Sequence, residues 1–554
     1  MGPEVNIESI LALEKRIEEG TGDIIQLKRA RNSLLNISTR VPPEILGHIF
    51  CWNVTPVDDF DGLVGGSYNF VLVCYRWFEV ASSTPELWSF WGNTLNQWPK
   101  RYQHRGTAQI DVRLCGGVDQ DPNVLFDGPL RDALRDCAER DSIRTLHLSG
   151  TDTNLLRSIL PVLIPDGQGI RCSSIESLIL ENPKMDVSNF FARCRFPKLR
   201  RLGLFARTGI STWTHLESHT AALTTLSLTI EEPVASCIPI VSQLPPIFAS
   251  NPRLQQLSIS MPRMFKEYGG ASTPSIVKLP HLENLDFSGY FEPLFRLLRR
   301  IDHPERMEKT RFYFTNCRVA DIYEILGPYL RDCIQRDGRF RDGLGIYVES
   351  SGRFISVEAA TTSGVAGPSL SPRHRLPFLV FEASLAEDTG RGPFDKVWVD
   401  FIAHAPSEHV VCLEVNMDPD AVEKIISIMP NAQELTIMNN ESPDGLPRPA
   451  LDGPFVGMKL FPSPRYLHLY DFGGRYWSSL ASYLIHQTSG GQVISLRVAG
   501  EPVRICPHLV ESVRNVVEEL ILDLSSEEEC RLGICSGVRE SDSAGRGSLF
   551  MDSE

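Results

Sequence analysis

Few residues of this chain stand at the spacings that bond-making chemistry requires. His215-Leu216-Glu217-Ser218-His219 places two imidazoles at i and i+4, which would turn both toward one metal ion on a helix. Its glutamate stands at the third place, not the second as in His-Glu-x-x-His, so the general base of that motif is missing. Cys530 and Cys535 have four residues between them and no second pair beside them, which does not make a zinc site. Asp58-Asp59 lies in a polar, Gly-rich stretch (58–67), where a solvated loop accounts for the two carboxylates better than acid–base work does. There is no phosphate-binding loop, no dinucleotide glycine fingerprint and no Gly-x-Ser-x-Gly elbow. The reading is therefore no catalytic site, no metal centre and no cofactor. What chemistry remains is that of surfaces that bind other proteins.

Bulk properties narrow the partners. A chain of 554 residues exceeds one compact core, which predicts two or more domains or an extended repeat array. The formal charge of −14 disfavours phosphate backbones and anionic membranes, so neither nucleic acid nor membrane is expected as a partner. No apolar run approaches the ~20 residues of a membrane-spanning helix, and Met1–Asn6 lacks the basic and apolar regions of a signal peptide. The 13 cysteines, among them Cys51, Cys74, Cys137, Cys237 and Cys412, sit mostly inside apolar runs. That usage suits buried thiols in a reducing compartment, the cytoplasm and/or nucleus.

Helical stretches open the chain. Ile7, Ile10, Leu13, Ile17, Ile24, Leu27 and Leu34 recur at helical spacing, with Gly20 and Gly22 predicting a break or kink. This 1–33 segment fits a short dimerising coiled coil or a helix packed on the rest of the protein. Pro42-Pro43 then suits a first helical turn, where a missing N–H costs nothing. Ile45, Leu46, Ile49 and Phe50 would form one broad apolar face. Phe70–Val80 reads as a further helix, and Thr84-Pro85 as an N-cap followed by proline, leading into Trp88 and Trp91.

Beyond residue 105 an apolar-x-x-apolar-x-apolar pattern keeps returning. It runs through Ile143-x-x-Leu146-x-Leu148, Ile175-x-x-Leu178-x-Leu180, Leu199-x-x-Leu202-x-Leu204, Leu223-x-x-Leu226-x-Leu228, Leu254-x-x-Leu257-x-Ile259 and Leu282-x-x-Leu285-x-Phe287. Starts at 143, 175, 199, 223, 254 and 282 are 32, 24, 24, 31 and 28 residues apart. The pattern resumes at Val410, Ala432, Leu467, Val493 and Val517. The period is similar to that of leucine-rich repeats, one strand and one helix per unit. The expected fold is α/β: a helical module followed by a leucine-rich-repeat-like solenoid, with parallel strands on the concave face and helices outside. Domain limits are read as 1–33, a helical module at 34–92, a linker and N-terminal cap at 93–140, the repeats at 141–524 with an irregular section at 336–400, and a disordered tail at 525–554. Within the irregular section, Gly345–Val348, Phe378–Phe381 and Lys396–Phe401 read as strands.

The segment from Leu34 to Trp91 resembles an F-box, as found in fungal F-box proteins with degenerate leucine-rich repeats. Val41-Pro42-Pro43-Glu44-Ile45-Leu46, Ile49-Phe50, Val73-Cys74-x-x-Trp77 and Thr84–Trp88 carry the resemblance, although Val41 stands where the family usually has Leu. The resemblance implies the substrate-recognition subunit of a Skp–cullin–F-box ubiquitin ligase, itself not an enzyme. Pro42, Pro43, Ile45, Leu46, Ile49, Phe50, Val73, Cys74 and Trp77 would form or support the surface for a Skp-type adaptor, and through it a cullin. The repeats would hold a protein client. Residues between the paired leucines would face outward in the order His147, Ile179, Gly203, Ser227, Ser258, Asp286, Tyr313, Glu414, Thr436, His468, Arg497 and Ile521. Tyr313, Tyr466, His468, Tyr470 and Arg497 are the candidate client contacts, since aromatics and arginine anchor interfaces. The alternative reading is a leucine-rich-repeat scaffold outside the ubiquitin system, with the F-box-like helices serving only as a cap.

Overall fold

Proline placement and leucine period between them set most of the architecture. The computed structural model of the chain describes residues 7–18, 26–28, 30–31, 41–54, 73–91, 106–116, 129–150, 173–181, 191, 194–208, 222–232, 240–261, 276–302, 304, 307–336, 344–351, 354–361, 379–385, 394–403, 410–416, 424–425, 427–429, 431–438, 465–470, 484, 495–499 and 507–523. The chain divides into two compact units, Met1–Leu282 with Pro293–Pro304, and Glu283–Glu292 with Glu305–Glu554.

The first unit opens with helix α1 (Ile7–Glu18), which stops short of Gly20; residues 26–28 and 30–31 are again helical. Helix α2 (Pro43–Val54) starts at the second proline, and the Pro42 carbonyl accepts the Leu46 N–H at 3.0 Å. It runs one turn past the expected end at Phe50, where the Asn53 amide donates to the Ile49 carbonyl at 3.2 Å. Helix α3 (Tyr75–Ser82) begins later than Phe70. Cys74 is extended, and its carbonyl takes the Phe78 N–H at 3.0 Å. The β-branched Val73, outside the helix, weakens a helical start at that point. Thr84 precedes a single 3₁₀ turn, Pro85–Trp88, but its hydroxyl donates to the Val80 carbonyl at 2.8 Å and does not cap that turn. Trp91 lies in a strand, not in a helix.

Strands β1 (Phe90–Trp91), β2 (Ile110–Gly116), β3 (Ile143–Gly150), β4 (Ser177–Glu181), β5 (Arg201–Thr208), β6 (Thr225–Glu232) and β7 (Gln256–Met261) then pair in chain order, all parallel. The segment read as linker and cap thus holds a full member of the ladder, β2. Leu146, Leu178, Leu202, Leu226 and Leu257 share one register position, and Leu148, Leu180, Leu204, Leu228 and Ile259 another. All ten are buried. Each contributes about 1.5–3 kcal/mol by leaving water, and stacking identical positions lets one repeat complete the core of the next. Strand β8 (Val277–Lys278) pairs in parallel with β10 (Ile301–Asp302); β9 (Asn284–Tyr290), between them in sequence, belongs to the second unit.

Polar staples tie successive repeats. Asp141, in a left-handed conformation (φ 51), accepts both the N–H and the hydroxyl of Ser174 at 2.9 Å. Buried Asn251 accepts the Leu223 N–H at 3.1 Å and donates to the Ile247 carbonyl at 2.7 Å. Asn251→Leu strands that buried N–H, so a loss of about 1–3 kcal/mol is expected. A melting temperature lowered by several degrees in a thermal scan would show it; an unchanged one would deny Asn251 this role.

The second unit is ordered in space as β9, β11 (Lys309–Cys317), β14 (Leu379–Leu385), β13 (Phe354–Thr361), β12 (Leu344–Ser351), β15 (Val410–Asn416), β16 (Glu434–Met438), β17 (Tyr466–Tyr470), β18 (Ser495–Ala499) and β19 (Glu519–Asp523). Strand β13 is antiparallel to both neighbours, and the other pairings are parallel. The irregular section therefore inserts a reversed strand, which the sequence reading missed. Lys396–Phe401, read as a strand, is part of helix Phe394–Ile402. Phe394, Val397, Phe401 and Ile402 fall at helical spacing, and Asp400 accepts the Tyr323 hydroxyl at 3.0 Å. Here rings replace leucines in the core: Phe312–Phe314 stack at 5.6 Å, Phe314–Phe381 meet at 5.9 Å and Phe381–Phe401 at 4.9 Å. Residues 525–554 lie outside the described residues.

Candidate functional site

Two surfaces merit description, the helical module at 41–91 and the outward face of each ladder. In the module, Leu46 and Phe50 of α2 pack with Val80 and Ala81 of α3 and with Leu87 and Trp88 of the 3₁₀ turn. Trp77 leans on this cluster, its ring 5.1 Å from that of Phe50. The Trp88 indole N–H donates to the Ala81 carbonyl at 2.6 Å, and an Arg76 nitrogen donates to the Val41 carbonyl at 2.9 Å. At Gly47 a Cβ would sit 2.9 Å from the Thr84 hydroxyl, so only glycine lets the 3₁₀ turn approach this closely.

The expected broad face of α2 is split. Leu46 and Phe50 are buried in the module's own core, whereas Ile45 is 51% and Ile49 44% exposed. Trp52, 84% exposed, continues that stripe at i+7 from Ile45. Val73, Tyr75 and Phe78 are exposed as well, and Pro42 and Pro43 lie at the solvated helix start. Cys74 is half-buried. Of the nine expected adaptor residues, Leu46, Phe50 and Trp77 thus build the module, while Pro42, Pro43, Ile45, Ile49 and Val73 offer surface. Trp52, Tyr75 and Phe78 were not among those nine. The i, i+4, i+7 spacing of Ile45, Ile49 and Trp52 could have revealed the first.

On the ladders, the residues between paired leucines do share one side, but several are not solvated. His147, Ile179, Gly203, Glu414, Thr436 and His468 are buried; Ser227, Ser258, Asp286, Tyr313 and Arg497 are half-buried, and Ile521 is exposed. His147 Nε2 lies 2.8 Å from Glu181 Oε1. Burial pushes the Glu181 carboxyl up, but contacts with His147 and Ser149 and the charge of Arg113 outweigh it and hold it below the ordinary carboxylate value. A lowered folded value adds stability above the unfolded value, and that stability is lost as pH falls through the folded one. Glu181→Gln is accordingly expected to reduce the difference in urea stability between pH 7 and pH 3. An identical difference in both proteins would show that the contact carries no linkage.

Tyr466 and His468 lie on one side of β17, and the register sets His468 between Thr436 and Arg497. Burial and the Arg497 guanidinium push the His468 imidazole below its ordinary value, which favours the neutral ring. For Tyr470 the backbone position in β17 is described, the side chain is not. Tyr313 is not part of this group. It lies on β11, six strand spacings of about 4.8 Å from β17. Its place in the outward row also differs from the expected one: Asp286 stands opposite Arg311, and Tyr313 opposite Ser288 and Glu382.

His215–His219, Asp58-Asp59, Cys530 and Cys535 lie outside the described residues. Among the described residues no three His, Cys, Asp or Glu side chains converge as metal ligands, and no helix is long and apolar enough to cross a membrane.

No family model matches the chain, and no curated protein does. Among solved structures, the crystal structure of a TLR13–ssRNA13 complex is similar over 73% of this chain and 49% of that one, at 11% identity and a TM-score of 0.27. This chain spans about half the length of that protein, and a likeness at this level carries no argument. The repeat ladder rests on the chain's own strand pairing.

Proposed function

We propose that the chain is the substrate-recognition subunit of a Skp–cullin–F-box ubiquitin ligase. Its helical module docks a Skp-type adaptor, and through it a cullin, while the ladders hold a protein client. The chain does no bond-making itself; it raises the client's effective concentration beside the ubiquitin-conjugating machinery. Neither nucleic acid nor membrane is a partner in this reading, in keeping with the net charge of −14, and the complex works in the cytoplasm and/or nucleus.

One observation carries the reading. Ile45, Ile49 and Trp52 are exposed along one stripe of α2 while the neighbouring face of the same helix is already satisfied by Leu46 and Phe50. Large apolar side chains left exposed along one stripe of a helix suit a dry partner face. Burying each contributes about 1.5–3 kcal/mol, enough together to offset the cost of association. The Pro-Pro start and the Val73–Trp77 segment are where the F-box resemblance places adaptor contacts. Co-expression with a Skp-type adaptor followed by size-exclusion chromatography tests this: the two should co-elute at one-to-one stoichiometry. An adaptor that elutes alone would overturn the reading and favour the scaffold alternative.

A further inference from the structure

A partner that closes on the apolar stripe of α2 also closes on a histidine. His48 is exposed, at i+3 from Ile45 and at i−4 from Trp52, so both are its neighbours on the helix surface. At about 100° of turn per residue, His48 and Ile49 stand about 50° to either side of the line from Ile45 to Trp52, halfway along it. A face in contact with both ends of that line therefore covers His48 as it covers Ile49.

A dry face accepts an imidazole only as the neutral ring. The charged ring would lose its water there and need an acceptor in return. The surroundings of His48 disfavour a partner carboxylate in that place. Glu44, one turn earlier on α2, and Glu86 of the 3₁₀ turn are both exposed. Burial, and after it the Glu86 charge, push up the thiol of Cys51, which stands at i+3 from His48. Among the described residues, the other titratable groups on the elements packed against α2 are Arg76, which donates to the Val41 carbonyl, and Tyr75 and Glu79, both exposed on α3. An acidic group brought to His48 would meet Glu44 within one helical turn, like charge against like.

We propose that adaptor docking is gated by protonation of His48: the complex holds the ring neutral, and the adaptor is released as the ring takes up a proton. This deepens the adaptor reading and rests on it. Imidazoles in water take up a proton near about pH 6.5. Only the free chain can take it here, so affinity is full above that range and is lost as pH falls through it. Once the ring is charged, the loss is about tenfold for each further pH unit.

Titration calorimetry of the full chain with a Skp-type adaptor at pH 7.5 and pH 5.5 tests this. The wild type should bind about tenfold more weakly at the lower pH. His48→Gln, which has no titrating ring, should change less than threefold between the two, and this separates His48 from groups on the adaptor. Equal wild-type affinity at both pH values, tighter binding at pH 5.5, or a fall of the same size in His48→Gln would overturn the proposal and leave the ligase reading standing. No binding by the wild type at pH 7.5 would overturn the ligase reading and the proposal with it.

Discussion

Ile49→Asp should abolish binding of a Skp-type adaptor and leave the protein folded. Ile49 is 44% exposed in the free chain, on α2 beside the core residue Phe50 but outside the module's core cluster. A carboxylate there stays hydrated until the adaptor closes over it. Binding then has to strip its water with no partner in reach, and the apolar contact of the isoleucine is lost as well. Anchor positions of this kind cost 2 kcal/mol or more on truncation, and adding a charge places the loss at about 3 kcal/mol or above, more than a hundredfold in Kd. Titration calorimetry reads the affinity, and a thermal melt within ~0.5 kcal/mol of wild type certifies the fold. A Kd within threefold of wild type would remove Ile49 from the interface.

Leu46→Asp, three residues earlier, should fail by a different route. Leu46 is 3% exposed and packs with Phe50, Val80, Ala81, Leu87 and Trp88. Truncating a buried leucine alone costs about 2–5 kcal/mol. The charge adds desolvation that nothing in this apolar cluster offsets, so a total above about 5 kcal/mol is expected. That approaches the whole stability of a typical domain, so the module should open. Limited proteolysis should cut within residues 43–54 and 75–88 of the variant and spare those residues in wild type and Ile49→Asp. A variant as resistant as wild type would mean that the cluster does not hold the module together. Both substitutions should remove adaptor binding, only the first of them from a folded module.

Sequence reading went furthest where the period was strict. Leucines repeating from Ile143 to Phe287 located strands and their inward side, because each repeat can fill its core only by stacking on the next. It located the start of α2 as well, since Pro43 tolerates only the first turn. It could not divide the α2 face into core and surface. That split depends on Val80, Ala81, Leu87 and Trp88, whose packing on the sequence-distant Leu46 and Phe50 no local period encodes. Nor could it find β13, since a reversed strand alternates as a parallel edge would, and only pairing with β12 and β14 reveals its direction. Helix Phe394–Ile402 was misread because its short apolar run fits either period. The row that sets Asp286 beside Arg311 was likewise hidden. Tyr313 is flanked by Phe312 and Phe314, as the centre of a repeat should be, yet the register moves it two places along.

Hydrogen exchange of the full chain, with and without a saturating Skp-type adaptor, puts the central claim to its most direct trial. The account expects new protection in amides of residues 43–54 and 73–82, with the strands of both ladders unchanged. Protection confined to the ladders, or none at all with the adaptor in excess, would contradict it.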